Sequence, residues 1–99
     1  MRIAGRERLD EFCRNHADGR VWIENWLADT HTAQWRTPQD VKDRYASASF
    51  LAGNRVIFNV KGNRYRMEIQ VAYHTGIVVI QWIGTHAEYA KRRNQAHEY

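Results

Sequence analysis

Polar and apolar positions change their period near the middle of the chain. Up to about residue 45 the apolar side chains recur at helical spacing, and from Arg55 onward they alternate. The opening "MRIA" is short and reads as an edge strand. Leu9, Phe12 and Cys13 then fall on one stripe, with Arg6, Glu7, Asp10 and Glu11 elsewhere on the turn, which predicts an amphipathic helix over about 5–15. After a break at 15–19, Asp18 is positioned to cap a second helix, in which Trp22, Trp26 and Thr30 share a stripe beside Ile23 and Leu27. These tryptophans read as packing residues. "TPQD" at 37–40 opens a short third helix over about 38–45, with Thr37 as cap, Pro38 in the first helical position and Asp40 facing the positive dipole end.

The second half reads as sheet. In "RVIFNV", Val56, Phe58 and Val60 share one face, and Arg55, Ile57 and Asn59 the other. "KGN" at 61–63 makes a turn. Tyr65, Met67, Ile69, Val71 and Tyr73 then alternate with Arg64, Arg66, Glu68 and Gln70. "HTG" at 74–76 turns the chain again, and "IVVIQWIG" is apolar on both faces, as a central strand would be. Thr85 and Glu88 have the spacing of a capping box, so a last helix is expected from Thr85 to about Arg93, with the tail "RRNQAHEY" fraying beyond it. Glu88 is then a reciprocal cap and not an acid catalyst. The expected class is α+β: an antiparallel three-strand meander, helices on one face, the other face partly open, and a short C-terminal helix.

Length and composition narrow the picture. The 99 residues suit one domain over 1–99, and the 4 Trp, 5 Tyr and 3 Phe suffice for a core. The formal net charge of +4 favours a polyanionic partner, whether nucleic acid, an anionic membrane surface or an acidic protein. Cys13 is the one cysteine, so an internal disulfide and a Cys-rich zinc site are excluded and a reducing cytoplasm fits. The start of the chain has no apolar run after its charges, unlike a signal peptide, and the longest apolar run, "GIVVI", is too short for a membrane span. No metal or other cofactor is expected, because the five histidines lack ligand spacing and no phosphate-binding glycine loop is present.

Candidate chemistry gathers in "NVKGNRYR", residues 59–66, a turn with three cations and no carboxylate. Alternation puts Arg64 and Arg66 on one face, roughly 7 Å apart along the strand. With Arg55 and Asn59 beside them, that face is expected to be basic and suited to phosphate, which guanidinium groups grip through charge-assisted hydrogen bonds. Solvated arginines on a polar face are the plainer alternative. His86 and Tyr89, three residues apart at a helix start, share a face and bring two groups able to move protons.

Three stretches, "W-x-T-P-x-D" at 35–40, "F-N-V-K-G-N-x-Y-R" at 58–66 and "G-T-H-A-E-Y" at 84–89, together resemble the HigB toxin family, a branch of the RelE-like toxins of bacterial toxin–antitoxin modules. The resemblance extends over about 3–92. It implies a RelE-like fold with a concave basic groove opposite the helices. It also implies an mRNA interferase, an endoribonuclease that cuts messenger RNA in the ribosomal A site, and a HigA-like antitoxin that neutralises it. Carried over, Arg66 closes the arginine pattern, Asn63 belongs to its turn, and His86 and Tyr89 are the pair of the last motif, with Lys61 and Arg64 assisting. Rival readings of the same residues are a non-catalytic RNA- or ribosome-binding module, and a domain whose basic face binds only an acidic protein.

Overall fold

The computed structural model describes residues 1–96, and side chains through Arg92. Its elements run β1 (Arg2–Ala4), α1 (Arg6–Asn15), a 3₁₀ turn (Ala17–Gly19), α2 (Arg20–Thr32), α3 (Pro38–Arg44), β2 (Ser49–Leu51), β3 (Arg55–Val60), β4 (Tyr65–Ala72), β5 (Ile77–Thr85) and α4 (His86–Ala96). The five strands form one mixed sheet in the order β1-β5-β4-β3-β2, antiparallel except where β1 runs parallel to β5. The α+β expectation and the edge position of β1 hold. The sheet has one strand more than expected, because β2 joins the meander on the side away from β1.

β2 escapes a pattern reading because it has only three residues and most of their surface is exposed. Its place is set by the turn into β3, where Gly53 (φ 78°) and Asn54 (φ 59°) both adopt left-handed backbone. The central strand is β4 and not β5. β5 is paired on both edges only over Ile77–Val79, where β1 reaches it.

The core lies between the sheet and α1–α3. Leu9, Phe12 and Cys13 of α1 are buried as their spacing predicts, as are Ile23, Trp26 and Thr30 of α2 and Val41 of α3. They meet Val56, Phe58, Val60, Tyr65, Met67, Ile69 and Val71, the inward set of β3 and β4. Phe58 sits at the centre, with Tyr45 edge-on at 5.2 Å and Trp26 at 5.7 Å between ring centroids.

Caps obey the sequence in two cases and depart from it in one. Thr37 and Asp40 form a reciprocal capping box with Pro38 in the first turn of α3. Thr85 and Glu88 do the same at α4, through Thr85 N–H to Glu88 Oε1 (2.8 Å) and Glu88 N–H to Thr85 Oγ1 (3.1 Å). Asp18 does not cap α2, which begins after Gly19 without a side-chain cap. Its carboxylate turns instead to the β3–β4 hairpin. The helix expected to stop near Arg93 continues to Ala96; the last part of the tail, 97–99, lies outside the described residues.

Candidate functional site

Between β4 and β5 the ladder slips by one residue. Ile69 opposes Ile80 but Glu68 opposes Trp82, so Gln81 is the extra residue of a bulge. Without it, Trp82 would share the core-facing side of Ile80. With it, Trp82 joins Glu68 on the opposite face, and Gly84 stands across from Arg66. Gly84 leaves the room that the tryptophan occupies. A Cβ there would come within 2.7 Å of the Trp82 ring and 3.0 Å of Glu88 Oε1.

This second face is not bare. Tyr89 and Arg92 of α4 pack onto it. The Arg66 guanidinium lies 5.5 Å from the Tyr89 ring centroid, and the Tyr89 and Trp82 rings are 5.8 Å apart. Arg92 lies 5.4 Å from the Trp82 centroid and donates from Nη1 to Glu68 Oε1 at 2.8 Å. Glu68 is 4% exposed, and Arg55 approaches its other oxygen at 3.8 Å. The face expected to be basic thus holds two arginines, Arg55 and Arg92, on one buried carboxylate, with Arg66 beside the Tyr89 ring and Arg92 beside that of Trp82. Arg66 is the exception within it. Its Nε is shielded from solvent and has no hydrogen-bond partner among the described residues, which leaves a donor for a ligand to satisfy.

The hairpin cations go elsewhere. Lys61 (φ 51°) and Gly62 (φ 69°) are both left-handed, and the turn carries Lys61 and Arg64 to Asp18. Arg64 Nη1 and Tyr65 Oη both donate to the Asp18 carboxylate, the latter at 2.6 Å. The Tyr65 bond, followed by that from Arg64, holds Asp18 below its ordinary pKa, and the same carboxylate raises that of Tyr65. Arg64 is thus not the free neighbour of Arg66 that strict alternation predicts. It belongs to the turn, ahead of the first residue of β4.

Of the remaining expected residues, Asn59 is directly across the ladder from Arg66, while Arg55 stands opposite Gln70. Asn63 is exposed in the turn. His86 is exposed at the start of α4, and its backbone N–H donates to the Arg64 carbonyl at 3.1 Å, which ties that helix to the hairpin. Tyr89, one turn on, is buried. Arg66, Tyr89 and Asn59 are therefore brought together, His86 stands at their margin, and Lys61 and Arg64 are held at the hairpin end by Asp18. Trp82, Arg92 and Glu68 escaped the sequence reading as members of this cluster. The i, i+3 spacing of Tyr89 and Arg92 was the available signal for one of them.

Among the described residues no group of three or more histidine, cysteine or acidic side chains could hold a metal, and no helix is long and apolar enough to cross a membrane. A family model described as HigB_toxin, the RelE-like toxic component of a toxin-antitoxin system, matches residues 20–92. The match spans the whole second-face cluster; β1, α1 and Asp18 precede it. A comparison with curated proteins finds no match.

Proposed function

Since the chain belongs to the HigB family of RelE-like toxins, the toxic component of a toxin-antitoxin system, we propose that it is a metal-independent endoribonuclease that cuts messenger RNA on translating ribosomes, in the A site. The observation that carries this reading is the half-buried Arg66, whose Nε lacks a partner beside the Tyr89 ring. A phosphate seated there would accept the orphan donor and neutralise the guanidinium, while unstacked bases would find Trp82 as a platform.

In this mechanism the ribose 2′-OH attacks the adjacent phosphorus, the bond from phosphorus to the 5′ oxygen breaks, and a cyclic phosphate and a 5′-OH remain. Three tasks follow. Charge that builds on the phosphate oxygens is stabilised by Arg66, through charge-assisted hydrogen bonds from its guanidinium. The proton leaving the 2′-OH and the proton arriving at the 5′ oxygen fall to His86 and Tyr89. Lys61 and Arg64 assist from the hairpin, and Arg55, Asn59 and Asn63 bind the RNA strand on either side. The one-domain organisation over 1–99 and a cytoplasmic location belong to the same proposal.

The test is controlled expression in bacteria of the wild type, Arg66→Ala and His86→Ala, with growth followed and messenger 5′ ends mapped. Growth arrest with new cuts inside reading frames, lost in both variants, is the expected result. Arrest without cuts would instead mark a non-catalytic RNA-binding module that blocks translation. Cleavage by His86→Ala at the wild-type rate would remove that side chain from the proton transfers.

A further inference from the structure

A sizeable hollow lies away from the Arg66 cluster. It is a groove of about 670 Å³ at the opposite end of the sheet, where β1 begins, β4 ends and the chain leaves α2 for α3. Tyr73, on its wall, follows Arg66 by seven residues, which places the two roughly 23 Å apart along β4. Ile3, Trp35 and Tyr73 line the groove with apolar surface, and Arg2, Arg6 and Arg36 stand around it. Among the described residues no carboxylate contributes to its lining. Lys61, Arg64, Arg55, Arg92 and Arg44 all have carboxylate partners, whereas Arg2, Arg6 and Arg36 make no ion pair among the described residues. The nearby carboxylate of Asp40 accepts from the backbone N–H groups of Arg36 and Thr37 and is committed to capping α3. The Tyr73 hydroxyl is shielded and has no partner among the described residues. A second hollow of about 360 Å³ shares Arg6 and His31 with the groove and continues it past Leu27 and Ala28 of α2 to Glu24, where the carboxylate-free lining ends.

We propose that this groove is the docking surface for the cognate antitoxin, and that it takes an acidic segment of that protein with an apolar side chain seated against Trp35 and Ile3. The inference rests on the toxin–antitoxin partnership and not on the endoribonuclease chemistry. Three guanidinium groups that make no ion pair among the described residues, set around an apolar lining, match an apolar anchor flanked by Asp or Glu. RNA fits less well, because Trp35 is almost wholly buried and offers little ring face for a base to stack on, while Ile3 and Ala33 beside it suit an aliphatic side chain. Arg2, Ile3 and Arg6 precede the stretch that the family model matches, while Trp35, Arg36 and Tyr73 lie within it.

The experiment measures the affinity of the full chain for its purified cognate antitoxin in three forms: wild type, the double variant Arg2→Glu/Arg36→Glu, and the equal-charge control Arg8→Glu/Arg14→Glu on the outer side of α1. The groove variant is expected to lose roughly 30-fold or more in affinity and the control less than about 3-fold. RNA cleavage by the free groove variant should be unchanged. Wild-type antitoxin affinity in the groove variant would overturn the proposal, as would loss of RNA binding with antitoxin binding kept. Hydrogen exchange on the wild-type complex needs no variant to fold. It should slow at residues 2–4 and 33–36, and unchanged exchange there also overturns the proposal. Failure of the endoribonuclease reading would show separately, as absent cuts with antitoxin binding intact.

Discussion

Arg64 and Arg66 stand two residues apart in one short stretch, and their surroundings differ completely. Arg64 is exposed in a turn, paired with Asp18 alongside Lys61. Arg66 is half-buried under the ring of Tyr89, with a donor that no described group satisfies. The hairpin end of the sheet uses its cations to bind its own chain. The face under α4 keeps one cation in reserve. A count of basic residues cannot separate these fates, because the difference is made by partners brought from elsewhere: Asp18 from the turn between α1 and α2, and Tyr89 from α4.

The strongest test of this contrast is kinetic. Arg66→Ala should lower RNA cleavage by roughly 100-fold or more, the scale of removing one oriented transition-state donor. Arg64→Ala should lower it less than about 10-fold, since its guanidinium already serves Asp18. Equal losses in single-turnover cleavage assays would erase the distinction between the two regions.

Stability probes sharpen it further. Glu68 is buried between two arginines whose side chains are each 43% exposed. Glu68→Gln should therefore cost about 2 kcal/mol in chemical denaturation, below the figure for a fully buried pair because both cations retain solvent. Gly84→Ala should cost about 1–2 kcal/mol through overpacking against the Trp82 ring, and it should shift tryptophan fluorescence as that ring moves off Arg92 and Tyr89. At the hairpin the expected effect is smaller and depends on pH. The Tyr65 and Arg64 hydrogen bonds depress the Asp18 pKa below its ordinary 3.8, so the stability it contributes is complete above that value. That contribution is lost as the pH falls through the lower folded value. Asp18→Asn should be less stable than wild type at pH 7, and the gap should close in acid. A constant gap across thermal melts from pH 7 to pH 2 would mean that Asp18 acts by packing alone.

Much of this was legible before any fold was known. Helical spacing identified Leu9, Phe12 and Cys13, alternation identified the inward faces of β3 and β4, and the Thr37 cap with Pro38 and the Thr85 capping box located two helix starts. These are local properties, set by a side chain and its neighbours within a turn or a pleat. The site was legible only in part. Arg66, Asn59 and Tyr89 were named and do meet, but Trp82 and Arg92 were read as strand and tail. Trp82 reaches its face through a bulge, and Arg92 becomes a partner of Glu68 only once α4 lies across β4 and β5.

The sequence by itself determined every element but β2, most of the buried faces, the turns that carry glycine and the family to which the pattern belongs. Tertiary structure alone decided which cations are neutralised. It also turned Trp82 outward, added β2 at a sheet edge and left the groove at its far end lined with arginines and, among the described residues, no carboxylate. The reason is physical. Periodicity reports the two sides of one element, whereas a charge finds its counterion, and a slipped ladder its register, only when residues dozens of positions apart are packed together.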